Sequence, residues 1–350
     1  MRILIHRLGS LGDTVVALPC FKVIRQRFPS AHIAVLTNTP VSAKAAPLEA
    51  IVENMGLIDS ALYYPLGSRD WRKLARLHAD IRRQRFDLLI SLSIGRSLPG
   101  AVRDYVYFKT CGIRRIIGLP FAKRDRVCLP LNGGPDHEPE ARRLLRRVRG
   151  IGEIVDGVDP NDPRWTDLQL TPEEVRQADA LLAGSPVRGD FLVMSLGTKW
   201  ATNDWGDARW SEAVSRLAAR HPQLGLVVIG SGDERERAEK VLGHWKGPTA
   251  NLCGAAPPRI SAGIMRRGRL FLGHDSGPLH LAAASGLRCA GIFSARQPPG
   301  QWFPLGRGHV VLYPYSLYQP DRWDDLAFQR RALDSISVES VVAAVEKILG

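Results

Sequence analysis

Short, unbroken apolar runs that end at a glycine or acidic turn, each followed by helical periodicity, occur in both halves of this chain. Arg2–His6, His32–Leu36 and Asp87–Leu92 are such runs in the first half, and a helical pattern over Val15–Phe28, closed by Pro29, separates the first two. A run without polar alternation suits a strand buried on both faces, and strands alternating with helices pair in parallel through crossover connections. The rhythm restarts further on. Phe191–Leu196, Leu224–Ile229, Arg269–Gly273 and Cys289–Phe293 read as strands, with Trp210–Arg220 and the closing Val338–Leu349 as helices. Between the two halves the texture changes. The segment from Gly150 to Arg188 carries Asp156-Gly157-Val158-Asp159-Pro160-Asn161-Asp162-Pro163, then a helix start at Thr171-Pro172-Glu173-Glu174, then Gly184-Ser185-Pro186. At 350 residues the chain has room for two domains of ordinary size. The expected fold class is α/β: two Rossmann-like, doubly wound domains, 1–170 and 171–335, facing across a cleft at their strand C-termini, with a C-terminal helix over 336–350.

Composition narrows the class. Hydrophobic residues make up 45% and charged residues 24%, values of a soluble globular protein, and no run of eighteen apolar residues could span a bilayer. The apolar start Met1–Arg7 meets a Gly/Ser/Asp turn too soon for a signal peptide, so a cytoplasmic protein is expected. The cysteines, Cys20, Cys111, Cys128, Cys253 and Cys289, form no Cys-x-x-Cys pair and are expected as buried free thiols. Net charge is +13 and unevenly spread: residues 1–150 hold 26 Lys+Arg against 12 Asp+Glu, the remainder 22 against 23. Glu138–Gly152 reads as a basic amphipathic helix with Leu144, Leu145, Val148 and Ile151 on one side. Such asymmetry favours an anionic partner for the first half, or else a solvated basic surface.

Four turns could carry chemistry. In Arg7-Leu8-Gly9-Ser10-Leu11-Gly12-Asp13-Thr14, two glycines allow a tight turn and close approach of a ligand, while Asp13 sits at a helix N-terminus. A plain helix cap explains that aspartate equally well, and a dinucleotide fingerprint would need Gly-x-Gly-x-x-Gly. In His274-Asp275-Ser276-Gly277-Pro278-Leu279-His280, the helix start offers amides to a diphosphate, and Asp275 could accept hydrogen bonds from sugar hydroxyls. Thr198 and Lys199, at the end of the first strand of the second domain, suit phosphate oxygens; Trp205 and Trp210 read as packing residues. Gly230-Ser231-Gly232-Asp233-Glu234 could seat a nucleoside, Glu234 accepting from ribose hydroxyls, or could be a solvated acidic helix start. No His/carboxylate cluster at metal-ligand spacing accompanies these turns.

Arg7-Leu8-Gly9-Ser10-Leu11-Gly12-Asp13, Asp275-Ser276-Gly277-Pro278-Leu279-His280-Leu281-Ala282-Ala283-Ala284 and Trp302-Phe303-Pro304-Leu305-Gly306 together resemble the ADP-heptose–lipopolysaccharide heptosyltransferase family, glycosyltransferase family 9. Phe86-Asp87-Leu88 with Gly95-Arg96-Ser97, and His137 ahead of Leu144-Leu145 and Gly152, are secondary matches. The resemblance implies a GT-B fold whose C-terminal helix packs back toward the first domain. It further implies inverting, metal-independent sugar transfer without a cofactor, an ADP-sugar serving as donor substrate. Asp13 then matches the general base. The donor residues are Thr198, Lys199, Asn203, Gly230, Glu234, Asp275, Ser276, Gly277 and His280; Ser10, Gly12, Arg96 and Ser97 face the acceptor. Partners are a nucleotide-sugar donor and an anionic glycolipid at the cytoplasmic face of the inner membrane, with no nucleic acid. Arg96, Arg103, Lys109, Arg114, Arg115, Lys123, Arg124 and Arg126 are candidates for that anionic contact. Two departures stand out: Asn203 occupies the family's phosphate-facing Lys position, with Lys199 as substitute, and Leu312–Tyr318 replaces a cysteine-containing segment. Alternatives are transfer from another nucleoside-diphosphate sugar, a dehydrogenase or epimerase on the same scaffold, and a nucleic-acid module. The third lacks an aromatic single-strand platform or a recognised DNA-binding motif.

Overall fold

Residues 1–39, 47–64, 70–94 and 97–350 are described by a computed structural model of the chain. Among them, eleven strands form two parallel sheets. The chain divides into two compact units, one of residues 1–130 with 138–166 and the other of 131–137 with 167–350.

In the first unit β1 (Arg2–His6), β2 (His32–Asn38), β3 (Ser60–Tyr64), β4 (Leu88–Ser91) and β5 (Arg115–Ile117) lie in the order β3-β2-β1-β4-β5. β1 is central: Ile3 pairs with Ile33 on one side and Leu88 on the other. Ile3, Leu4 and Ile5 are wholly buried, as continuous apolar runs in a covered parallel sheet should be. The helical pattern after β1 resolves into α1 (Leu11–Val16) and α2 (Leu18–Arg27), broken at Ala17. Pro19 cannot donate to the ladder, so it occupies the first turn of a new helix, where no donor is required. The helix also starts earlier than its apolar spacing suggests, because Gly12 and Asp13 belong to a first turn.

Beside single helical turns at Glu49–Val52, Lys123–Arg126 and Pro163–Thr166, the unit carries three longer helices: α3 (Trp71–Gln84), α4 (Leu98–Thr110) and α5 (Glu140–Val148). α5 is shorter than the basic helix expected over 138–152; a 3₁₀ turn over Arg149–Ile151 follows it. Its charge is not all surface charge. Arg143 is buried against Glu140, with Nε 2.7 Å from Oε2. Arg147, also buried, donates to Ser93 O at 2.6 Å and to Gly118 O. It thereby ties the end of β4 to the turn after β5. Burial, with Arg143 nearby, pushes the Arg147 pKa down to about 9.

The second unit holds β6 (Phe191–Ser195), β7 (Gly225–Val228), β8 (Thr249–Asn251), β9 (Leu270–His274), β10 (Cys289–Ile292) and β11 (Val310–Leu312), in the order β11-β10-β9-β6-β7-β8. Its helices are α6 (Pro172–Ala183), α7 (Asp207–Arg220), α8 (Arg235–Leu242), α9 (Pro258–Met265), α10 (Gly277–Ala284), α11 (Leu326–Asp334) and α12 (Val338–Leu349). Trp205 and Trp210 are packing residues: both are fully buried, edge to face with centroids 4.9 Å apart, and Trp205 Nε1 donates to Ile336 O at 2.9 Å. α12 sends Val341, Val342, Val345 and Ile348 into the same core and packs on α7 and β9–β11. It is therefore a layer of the second unit. An apolar face of that width is satisfied by the nearest sheet.

All five cysteines are buried free thiols. Each sheet reverses its strand order once, between β1 and β4 in the first and between β6 and β9 in the second. Those are the positions at which doubly wound sheets open a crevice beyond the strand C-termini.

Candidate functional site

The turn after β1 is built around one carboxylate. Asp13, third residue of α1, accepts on Oδ2 from the Ser10 backbone N–H at 2.7 Å and from Ser10 Oγ at 2.8 Å. This satisfies an amide the helix start leaves unpaired, so the capping function read from the sequence is present. Oδ1 is not engaged in that cap. It lies 3.8 Å from Arg7 Nη2, an ion pair beyond hydrogen-bond length. Arg7 is wholly buried. It donates to Leu92 O at 2.6 Å and to the Asp13 backbone carbonyl, clamping the β1 turn to the β4 turn at the order reversal. Burial lowers its pKa, and the Asp13 carboxylate opposes that shift. Asn38, from the end of β2, accepts from Gly9 N at 2.7 Å. A carboxylate with one oxygen held and the other outside the cap, beside a fixed cation, can take a proton from an approaching hydroxyl.

The acceptor candidates divide. Ser10 and Gly12 share the Asp13 turn. Ser97 is the N-cap of α4, in the neighbouring β4 turn, where its Oγ accepts from Gly100 N at 3.3 Å. Arg96 lies outside the described residues.

In the second unit the turns after β6, β7 and β9 lie side by side. The Glu234 carboxylate rests across the ends of β6 and β7. Its Oε1 accepts from Ser231 Oγ at 2.8 Å, and a Cβ on either Gly197 or Gly230 would collide with its oxygens. Burial raises the Glu234 pKa, with Ser231 opposing. Asp275 N donates to Ile292 O at 2.8 Å, and its Oδ1 stands 3.7 Å from Nε2 of the buried His280. Ser276 caps α10 with its backbone alone, since its Oγ turns back to His274 O at 3.3 Å. Gly277 and the following turn therefore keep an amide-rich start of the kind that favours anions.

Thr198 and Lys199 sit partly buried and exposed, respectively, at the end of β6. Asn203 is buried and accepts from Ser294 Oγ at 2.9 Å. That bond ties the β6 turn to the turn after β10, above β9. Two residues past Ser294, the guanidinium of Arg296 lies 4.2 Å over the Trp200 ring, and Lys199 Nζ is 5.7 Å from the same ring. Arg296 is absent from the sequence reading. The signal was available, since a cation three residues beyond a strand run holds the same kind of position as Lys199. Among the described residues no group of three or more His, Cys, Asp or Glu is arranged to hold a metal ion.

Residues 74–322 match the family described as glycosyltransferase family 9 (heptosyltransferase). Lipopolysaccharide heptosyltransferase 1 of Pseudomonas aeruginosa is 26% identical over 341 residues, covering 89% of this chain and 83% of its own. The glycosyltransferase family 9 structure from Veillonella parvula superposes with a TM-score of 0.74 at 17% identity, over 99% of this chain and 97% of that one. E. coli heptosyltransferase WaaC with ADP does so with a TM-score of 0.64 at 14% identity, over 99% and 100%. At such identities the structural likeness is one of fold, the GT-B fold of these heptosyltransferases.

Proposed function

This chain belongs to glycosyltransferase family 9, the heptosyltransferases, and from that premise we propose that it moves a heptose from ADP-heptose to an anionic glycolipid of the lipopolysaccharide core, inverting the anomeric carbon without a metal. The observation that carries the reading is the Asp13 turn: a carboxylate with one oxygen fixed by Ser10 and the other outside that cap, 3.8 Å from the Arg7 guanidinium. The acceptor hydroxyl attacks the anomeric carbon as the bond to the diphosphate breaks from the opposite face, and Asp13 Oδ1 receives its proton. Leaving-group charge collects on the diphosphate, where Lys199, Arg296 and the amides at the start of α10 stabilise it. Glu234 accepts from the ribose hydroxyls, and Asp275 with His280 orients the donor sugar. Heptosyltransferase WaaC was solved with ADP, which supports an adenine nucleotide. The acceptor is bound by the first unit at the cytoplasmic face of the membrane.

Asp13→Ala should lower turnover by about 10²–10⁴-fold, the usual contribution of a positioned base. It should also cost about 1 kcal/mol of stability through the lost cap. Transfer of radiolabelled heptose and a thermal melt measure the two effects. Near wild-type turnover would remove Asp13 from the base role. Asn203 favours one second reading, the same transfer from another nucleoside-diphosphate sugar, because its side chain already serves Ser294 where the family places a phosphate-facing Lys. Stabilisation by UDP or GDP but not ADP would select it.

A further inference from the structure

Helix α4 carries apolar side chains on two sides. Ala101 and Phe108, with the paired Asp104, turn into the first unit, as a helix covering a sheet requires. Leu98, Val102, Tyr105 and Val106 fall on another face, within about 100° of arc at 100° per residue. They stay in solvent: Leu98 is 46% and Val106 54% exposed. The stripe continues beyond the helix. The Tyr105 ring meets Phe121 edge on with centroids 5.8 Å apart, and Phe121 and Val127 are themselves exposed. Contiguous apolar surface of this kind marks an interaction site more often than an accident of packing.

Charge identifies the partner. Residues 97–127 hold seven Lys+Arg and two Asp. Neither acid stands free on the face: Asp104 is buried and accepts from Arg103 at 2.9 Å, and Asp125 accepts from Arg146 at 3.4 Å. The cations surround the apolar side chains. Lys109 Nζ lies 5.3 Å from the Tyr105 ring centre, Arg126 donates to Phe121 O at 2.6 Å, and Lys123 and Arg124 are exposed. An apolar stripe alone would suit any hydrophobic partner. Bordered by cations, it matches an interface that is anionic outside and apolar within.

We infer that α4 and the segment Phe121–Val127 dock on an anionic phospholipid bilayer, the stripe entering the headgroup region and the cations meeting lipid phosphates. The inference deepens the proposed function, whose acceptor is lipid-borne, but its test needs neither donor nor acceptor. Full-length protein is floated with vesicles of phosphatidylcholine, or of phosphatidylcholine with phosphatidylglycerol. It should bind the second alone, and less as salt rises. Lys123→Glu with Arg124→Glu should weaken binding by about fivefold or more per residue. Val102→Asp with Val106→Asp should weaken it by about tenfold, with an unchanged melting midpoint and wild-type turnover on a lipid-free acceptor saccharide. Equal binding to neutral vesicles, no binding of the wild type at low salt, or indifference to the valine pair would overturn the inference. So would a valine pair that changes the sedimenting species or slows turnover on the lipid-free acceptor, since the face would then join copies or belong to the transfer site. Vesicle binding by a wild type that transfers no sugar would instead remove the proposed function and leave the docking face standing.

Discussion

A Cβ on Gly9 would lie 2.5 Å from Asp13 Cβ and 2.8 Å from its Cγ, and Gly9 holds φ at +155°. Gly9→Ala must therefore push the carboxylate off Ser10, although residue 9 takes no part in chemistry. Turnover should fall by about 10²-fold or more, approaching the loss expected of a missing base, together with about 1 kcal/mol of stability from the disturbed cap. Steady-state kinetics beside a thermal melt would separate the two. A variant that melts lower but transfers normally would show that the position of Asp13 is unimportant. The sequence made Gly9 and Asp13 conspicuous as a turn and a cap, because glycine and aspartate have few local uses. It could not tell which carboxylate oxygen lies outside the cap, since that depends on Arg7 folding under the turn from its own buried position.

At the scale of elements, the strands legible in the sequence are the interior ones. β1, β2, β4, β6, β7, β9 and β10 each announce themselves as unbroken apolar runs. β3, β5, β8 and β11 do not, and they are the four sheet edges. An edge strand is covered on fewer sides; these are three to five residues long and half-buried in the main, so no run forms to be read. β9 also carries a titration absent from composition. His274 is wholly buried and accepts from Trp205 N at 2.9 Å, and burial pushes its pKa down to about 4 against an ordinary 6.5. Its neutral form is the folded one, so the unfolded chain binds the extra proton between those values. Stability should be complete above about pH 6.5 and fall through the window down to about 4, by an amount on the order of 3 kcal/mol. His274→Gln keeps an acceptor for Trp205 and should flatten that part of the curve in pH-dependent denaturation. An unchanged slope would mean that other groups carry it.

For the whole molecule, the charge imbalance between halves was plain in the sequence, but its destination was not. Arg7, Arg143 and Arg147 are buried ties between backbone segments, which leaves fewer cations for a partner than the count suggests. The two-unit division makes a separable prediction: in calorimetry, ADP at about 100 times its Kd should add about 2.7 kcal/mol to the second unit, the one proposed to bind it. A shift borne by the first transition, or equally by both, would put the nucleotide elsewhere. The thiols could report which unit has opened. Burial drives every one of them upward, Cys20 and Cys253 to about 12 and Cys111 to about 11. Alkylating reagents attack thiolates, so the native chain resists them at neutral pH. Cys20, Cys111 and Cys128 belong to one unit, Cys253 and Cys289 to the other. Peptide mapping after a brief pulse of iodoacetamide would thus timestamp the breathing of each half separately, with no label having to be engineered in.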